Sequence, residues 1–505
     1  MQVVEPHATL PLPAVDLSRL PTAEREARVV QLAADDMARP FDLERAPLVR
    51  GALLRLDADE HVLLVAAHHV AFDGWSTGVL TRELREHYAA ALAGRPADLP
   101  PLTIQYGDYA AWERRRLEEP EFRSKLDFWA RELAGAPAAV ELPTEGHRPP
   151  VQRFRGTTFG FRLEAPLAAA VGALARREGA TRFMALLAGF HALLHRYTGQ
   201  DDLVVGTPVA GRDHPALEPL IGFFVGVLPI RARVRPDQEL RALLGAVRSA
   251  TLDAYAHQDV SLEQVVDAAG VARETSRSPL VQVLFALQNT GPAAFSLPGL
   301  EAEVLEVEGR TARYELSVYL REEPDGALAA LVELDTDLFT RAAVERWMRH
   351  YRRLLEAFAA DPALAVADAP LLDDAERAQI LRDWNRTAPL PPSIVTIPEL
   401  FEGQTRRTPD AVALVSGAET VTYAELGRRA TRIAAELSAR GVRSEDRVGI
   451  LLERSPQMVA AMLGVLAAGA AYVPLDPAHP DERLAYMLGD SGARVLLTQR
   501  GMAER

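Results

Sequence analysis

The chain has 505 residues, 48% of them hydrophobic and 25% charged, which is enough for about three or four folded units. Its net charge of −14 argues against a large surface for phosphate backbones, so the sequence predicts no nucleic-acid partner. It contains no cysteine, which excludes disulfides, thiolate nucleophiles and cysteine-based metal sites.

The two ends of the chain lead to expectations about where the protein is located in the cell and whether the sequence is complete. Residues 1–20 lack the layout of a secretory signal, and no stretch approaches ~20 uninterrupted apolar residues. We therefore expect a cytoplasmic protein that does not contact a membrane. The chain opens on an irregular segment and closes just after a strand-like run, from which we expect that both ends are cut.

The first elements in chain order are a helix and a hairpin. An apolar stripe predicts a helix over Thr22–Ala38, which Pro40 ends. Apolar residues up to Leu56 and a polar turn then precede His61–Ala67, whose composition predicts a central buried strand.

A polar segment follows this strand and precedes the next helix. It runs from His68 to Gly74, and Ser76 is the predicted N-cap of a helix that ends before Gly94. Loops between a buried strand and a helix are where functional sites are often built, so this segment is the first candidate site.

Glycine and proline mark two further boundaries. The run from Gly135 to Pro150 predicts a linker, after which Thr181 caps a helix that is apolar on most sides and hence buried. A second boundary is predicted at Pro389–Pro392, after a helical run around residues 375–384. Residues 397–505 alternate helix and strand, which indicates the start of a larger α/β domain.

The histidine pair His68 and His69 carries the clearest chemistry. Neighbouring strand residues point to opposite faces, so we expect unequal roles, with one imidazole facing a cavity. An imidazole titrates near neutral pH and can accept a proton from an amine, which suits acyl transfer.

Four other interpretations of this segment compete with acyl transfer. The histidines could simply pack in the structure. They could bind a metal with Asp73, although adjacent strand residues diverge and no third convergent ligand is apparent. Gly74–Gly78 matches a serine-hydrolase nucleophile elbow around Ser76. The His68 to Asp73 spacing also resembles that of glycerolipid acyltransferases, for which the chain lacks a membrane-facing segment.

The same residues carry a family resemblance. The run HHVAFDGWS at 68–76 resembles the HHxxxDG motif of condensation domains of nonribosomal peptide synthetases. Four further motifs of that family follow in its order, at residues 106–112, 221–231, 257–263 and 273–280.

The C-terminal part resembles the beginning of an amino-acid adenylation domain. Residues 421–426 match its first core motif and residues 466–476 its second. The glycine-, serine- and threonine-rich phosphate loop of that family is not among residues 397–505, so we expect no ATP binding and no amino-acid activation from this part.

The resemblance implies an α/β (α+β) fold. It comprises two chloramphenicol-acetyltransferase-like subdomains in a V, at residues 1–140 and 150–375, followed by a linker at 376–396 and the start of an adenylate-forming α/β domain at 397–505. Because the opening condensation motifs are absent, the N-terminal subdomain is expected to be truncated.

The resemblance also implies an acyltransferase-type enzyme that forms amide bonds. Upstream and downstream carrier proteins would present a donor acyl or peptidyl thioester and an acceptor aminoacyl thioester on phosphopantetheine arms, with no cofactor or metal bound directly. The alternative function is a non-catalytic scaffold or docking fragment of such a synthetase.

The expected site roles follow the motif. His69 would bind and deprotonate the attacking amine, and His68 would face inward and support the site. Asp73 would hold the loop through an arginine or a backbone contact. Gly74 would let the backbone approach the substrate or simply form a turn.

Overall fold

The computed structural model describes residues 8–288, 297–305, 309–387 and 395–502. The chain divides into two compact units, residues 1–381 and residues 382–505. The domain boundary predicted at Pro389–Pro392 lies outside the described residues.

A small sheet opens the first unit, with the strand order β1-β2-β3. β1 (Ala14–Asp16) is parallel to β2 (Val49–Arg55), and β2 is antiparallel to β3 (His61–Ala67). Helix α1 (Thr22–Ala38) contributes Val29 to a small apolar cluster with Leu54 of β2. The bounds predicted for this helix and for the strand at 61–67 are confirmed.

The prediction that β3 is a central buried strand is wrong. Leu63 and Val65 are 40% and 46% exposed. In the described part of the chain β3 pairs with β2 alone, and its side chains alternate between a packed face and an open one. An apolar run does not reveal which of its faces will be covered.

Three helices connect this sheet to a larger one. They are α2 (Gly74–Leu92), α3 (Tyr106–Arg116) and α4 (Pro120–Glu132). Within the described residues, the larger sheet has six strands, in the order β4-β9-β8-β7-β5-β6. Their bounds are β4 (Gly156–Leu163), β5 (Asp202–Val209), β6 (Gly226–Arg233), β7 (Val283–Gln288), β8 (Leu316–Glu322) and β9 (Leu328–Asp335).

The large sheet is mixed and has helices packed against it. β7 runs parallel to both β5 and β8, whereas the other neighbouring pairs are antiparallel. The helices of this part are α5 (Ala165–Arg177), α6 (Arg182–Thr198), α7 (Leu240–Ala256), α8 (Leu262–Ala268) and α9 (Arg341–Ala360).

Helix α6 runs through the main core of the unit. Every residue from Met184 to His195 is buried, as the sequence predicts for this helix. His191 bonds through Nδ1 to the Leu187 carbonyl at 3.0 Å, so it packs inside the core. Among the described residues, no helix combines the length and the apolar composition that crossing a membrane requires.

The first unit ends on a short helix. The helical run predicted around residues 375–384 is α10 (Asp374–Ala378), followed by one π-helical turn at Gln379–Asp383. None of the five residues of α10 is buried.

The second unit alternates helices and strands, in agreement with the prediction. A parallel sheet has the order β13-β12-β14, and β10 and β11 form a separate hairpin. The strands are β10 (Val412–Ser416), β11 (Glu419–Thr422), β12 (Arg447–Leu451), β13 (Ala471–Leu475) and β14 (Val495–Thr498). The helices are α11 (Ile397–Arg407), α12 (Tyr423–Ala439), α13 (Pro456–Ala467) and α14 (Asp481–Ser491).

Candidate active site

The segment HHVAFDG forms the connection from β3 to α2. β3 ends at Ala67, a 3-10 turn spans His69–Ala71, and α2 begins at Gly74. Neither histidine therefore lies on the strand. The expectation that their side chains point to opposite faces of a strand is wrong, because it assumes that both residues belong to β3. Their roles differ because the turn gives them different partners.

His69 is exposed on this turn and has one ring nitrogen engaged. Its Nδ1 lies 2.8 Å from the Phe72 carbonyl oxygen, and its ring meets that of Phe223 edge-on at 5.1 Å. A carbonyl only accepts hydrogen bonds, so the neutral imidazole carries its proton on Nδ1. The Nε2 lone pair is then available as a proton acceptor.

His68 is more enclosed and supports the turn. Its Nδ1 accepts a hydrogen bond from the Val70 N–H at 3.1 Å, and its ring packs edge-on against Phe41 at 5.8 Å. With Nδ1 accepting, the proton of the neutral ring is on Nε2. The two adjacent histidines thus have opposite tautomers.

Asp73 is the buried anchor of the segment. Its Oδ1 accepts from the Ser76 N–H at 2.9 Å and from the Ser76 hydroxyl at 2.7 Å. Its Oδ2 accepts from the Phe224 N–H at 3.1 Å. The arginine contact that the sequence predicts for Asp73 is made by Arg212, whose Nη2 lies 3.1 Å from Oδ1.

Asp73, and not Ser76, is the N-cap of α2, which corrects the prediction. Both residue types are good caps, and the Asp73 carboxylate takes this position because it accepts the backbone N–H three residues on. Ser76 lies inside the first turn of the helix.

Arg212 connects Asp73 to the part of the unit that contains the large sheet. The side chains of Arg212 and Asp73 are 1% and 2% exposed, so the ion pair is fully desolvated. Arg212 also donates through Nη1 to the carbonyls of Leu217 and Leu220, and its guanidinium lies over the Phe224 ring at 4.1 Å. Nothing in the local sequence distinguishes Arg212 from the other cationic residues.

The buried environment of Ser76 disfavours the serine-hydrolase interpretation. Its side chain has no exposed surface, and its hydroxyl partners are Asp73, Arg212 and both backbone groups of Gly222. A nucleophilic serine needs an accessible oxygen beside a base, and no histidine is among these partners.

The metal interpretation lacks a convergent ligand set. The Nδ1 atoms of His68 and His69 are engaged with different backbone groups, and Asp73 is bound to Arg212. Within the described residues, no three histidine, aspartate or glutamate side chains come together as a potential metal site.

Gly74 is the first residue of α2, and a Cβ there would meet no other atom within 4 Å. The fold itself therefore gives no steric reason for glycine at this position.

An aromatic cluster supports the segment that receives Asp73. The Tyr106 hydroxyl donates to the Phe223 carbonyl at 2.8 Å, and Tyr106 and Tyr109 both pack on the Phe224 ring. Burial raises the pKa of Tyr109, and the nearby Glu113 raises it further, so the phenol stays neutral at physiological pH. A Cβ at Gly222 would lie 2.4 Å from the Tyr106 ring, so this close approach requires glycine.

A second link ties α3 and α4 to the motif at residues 257–263. Asp259 forms ion pairs with Arg116 of α3 and Lys125 of α4. His257 stacks on Phe128 at a centroid distance of 3.8 Å. These residues position helices and lie outside the His69 turn.

Comparisons with known proteins cover nearly the whole chain. The family model described as "Condensation domain" matches residues 1–381, and the one described as "AMP-binding enzyme" matches residues 401–505. A linear gramicidin synthase component from Brevibacillus parabrevis is 42% identical over 99% of this chain and 10% of its own length. Phosphinothricin tripeptide synthetase PhsC of Streptomyces viridochromogenes is 39% identical over 98% of the chain and 46% of its own length.

Solved structures agree with these matches. A four-domain nonribosomal peptide synthetase, holo-AB3403, has a TM-score of 0.80 at 28% identity, over 98% of this chain and 38% of that one. The X-domain from teicoplanin biosynthesis has a TM-score of 0.66 at 28% identity, over 72% of this chain and 81% of that one. The chain thus spans less than half the length of the linear gramicidin synthase component and of PhsC.

Proposed function

Because the chain belongs to the condensation-domain family of nonribosomal peptide synthetases and continues into the start of an adenylation domain, we propose that its first unit forms amide bonds. The donor is an acyl or peptidyl thioester, and the acceptor is the amine of an aminoacyl thioester. Upstream and downstream carrier proteins bring both on phosphopantetheine arms. The single observation that carries this proposal is the exposed His69 with its Nδ1 bound to the Phe72 carbonyl.

In the proposed reaction, the acceptor amine nitrogen attacks the donor thioester carbon. A C–N bond forms and the C–S bond breaks. His69 Nε2 accepts the proton that the amine nitrogen loses, and that proton ends on the departing pantetheine thiolate. A positioned base contributes ~10²–10⁴-fold, and holding the two thioester arms together can supply ~7–11 kcal/mol of the barrier reduction.

Asp73, His68 and Gly74 have supporting roles in this proposal. Asp73 holds the start of α2 through Arg212 and the Phe224 N–H, and so sets where the turn carries His69. His68 holds the turn through Val70. Gly74 leaves open space at the helix start, which a substrate arm can use.

The test is a mass-spectrometric condensation assay with donor- and acceptor-loaded carrier proteins. We expect amide product from the parent chain and a loss of about 100-fold or more in His69→Ala and His69→Gln, since neither replacement takes up a proton. His61→Ala is the matched control, because His61 is an exposed histidine on β3 away from the turn. A version extended with the family's opening motifs controls for folding of the small sheet.

Two results would contradict the proposal. Product formed by His69→Ala at the parent rate would remove His69 as the base. No product from the folded parent and folded extended version, over varied substrates, would favour the alternative, a non-catalytic scaffold of a synthetase.

We also propose that residues 397–505 of this chain do not activate an amino acid by themselves. The phosphate loop of the adenylation family is not among them. Amino-acid-dependent ATP–pyrophosphate exchange measures this directly, and exchange above background would contradict it.

A further inference from the structure

A buried histidine at the end of the first unit connects three helices. His350 of α9 is 4% exposed and has both ring nitrogens engaged. Its Nδ1 lies 2.6 Å from the Tyr197 hydroxyl of α6, and its Nε2 lies 3.0 Å from Glu376 Oε2 of α10. The rings of Tyr197 and His350 are also nearly parallel, at 5.9 Å.

Glu376 accepts hydrogen bonds from two residues at this contact, His350 and Asp373. The same Oε2 that meets His350 accepts the Asp373 N–H at 3.0 Å, while Asp373 Oδ1 accepts the Glu376 N–H at 2.7 Å. This capping box closes the N-terminus of α10. Partial burial opposes ionisation of Glu376, but hydrogen bonds from Asp373 and His350 outweigh it and lower its pKa, so the carboxylate is charged at neutral pH.

Helix α10 depends on such polar contacts. It has five residues, far fewer than an isolated helix needs, and none of its side chains is buried. Apolar packing therefore contributes little to holding it. Three residues beyond its end, at Leu381, the first compact unit stops and the second begins.

We propose that Tyr197, His350 and Glu376 form a latch that fixes α10 on the first unit and so sets the point from which the connection to the second unit begins. With the latch closed, the chain is anchored as far as α10. With the latch open, α10 is released from the first unit, and the residues from about 372 onward become part of the connection to the second unit. The inference rests on these contacts alone and does not depend on the proposed reaction.

Hydrogen exchange measured by mass spectrometry tests the latch. We expect His350→Phe, which keeps an aromatic ring beside Tyr197, to speed exchange over residues 372–381 by about 10- to 150-fold, the range that corresponds to a lost hydrogen bond to a charged group. Exchange in the core of the unit should stay unchanged. Arg352→Gln is the matched control and should leave this exchange unchanged, because Arg352 is a partly exposed arginine of α9 that pairs with Glu356.

Glu376→Gln keeps the test decisive if His350→Phe does not fold. Glu376 is on the surface side of the contact, and this change removes only the charge. It should also speed exchange over residues 372–381. Unchanged exchange there in the folded variants, or a rise spread evenly over the whole unit, would overturn the proposal.

The absence of cysteine permits a second, independent measurement. Spin labels at Ala342→Cys on α9 and Ala375→Cys on α10, both exposed positions, report the distance across the latch. We expect one narrow distance distribution in the parent and a broad one in the latch variant. A broad distribution already present in the parent would overturn the proposal.

Discussion

The two sheets of the first unit differ sharply in how they are packed. The small sheet shares a cluster of only a few buried residues, which include Val29 and Leu54, and leaves Leu63 and Val65 exposed. The large sheet is covered by α6, in which every residue from Met184 to His195 is buried. The candidate catalytic histidine stands on the connection that leaves the small sheet.

This difference indicates where the order of the His69 turn comes from. Asp73 bonds to Arg212 and to the Phe224 N–H, and Ser76 bonds to Gly222. All three partners belong to the segment between β5 and β6 of the large sheet. The turn is therefore held by the well-packed region, although its strand belongs to the thinly packed one.

Asp73→Asn should have the largest effect on this arrangement. It leaves Arg212 charged and buried without an ionised partner, which costs about 3–5 kcal/mol for a buried pair. We expect a lower urea midpoint, loss of condensation activity, and faster hydrogen exchange that starts at residues 68–76 while the large sheet stays protected.

The matched control is Asp42→Asn. Asp42 pairs with Arg45 at 3.4 Å, but both side chains are more than half exposed, and such pairs contribute about 0–1 kcal/mol. If Asp73→Asn were no more destabilising than this control, the large sheet would not be what holds the turn.

Acid should weaken the large sheet's core through His191. Burial lowers the pKa of His191 to about 4, from an ordinary value of 6.5. As the pH falls from 6.5 to 4, the unfolded chain binds a proton that the folded chain does not, so stability decreases by about 3 kcal/mol.

The measurement is the urea midpoint at neutral pH and near pH 4 for the parent and for His191→Leu. The variant should lose less stability in acid than the parent. Equal acid sensitivity would mean that this core does not hold a neutral histidine.

Gly222→Ala should have a smaller effect at the junction of the two regions. The new methyl group would lie 2.4 Å from Tyr106 and 2.8 Å from Phe224, so the rings must shift, at a cost of about 1–3 kcal/mol. Thermal unfolding and the condensation rate should both report the change. Gly107→Ala on α3, where the methyl group meets nothing within 4 Å, should leave both unchanged, and equal effects would contradict the proposed crowding.

Local sequence signals predicted much of the fold. The apolar stripe that ends at Pro40 predicted α1 with the bounds that the structure shows. The apolar pattern after Thr181 predicted a buried helix. The burial of β3 could not be predicted in this way, because a run of apolar residues does not say how many neighbours its strand will have.

The candidate site was predictable only where its residues are close in sequence. The segment from His68 to Gly74 is a local motif, and a partner for Asp73 was expected from its type. Arg212 carries no local signal, because the contact depends on tertiary structure and the chain has 56 lysines and arginines. The prediction of Ser76 as the cap of α2 was wrong for a local reason, because Asp73 and Ser76 are both good N-caps and it is Asp73 that accepts the backbone N–H.

The distance along the chain between Asp73 and Arg212 also affects how the protein is made. The pair is separated by 139 residues, and a ribosome adds about 5–20 residues per second, so about 7–28 s pass between the synthesis of the two side chains. During that interval Asp73 is already part of the chain and its cationic partner has not yet been synthesised. The turn that carries His69 is thus completed only after the residues of β5 have been added.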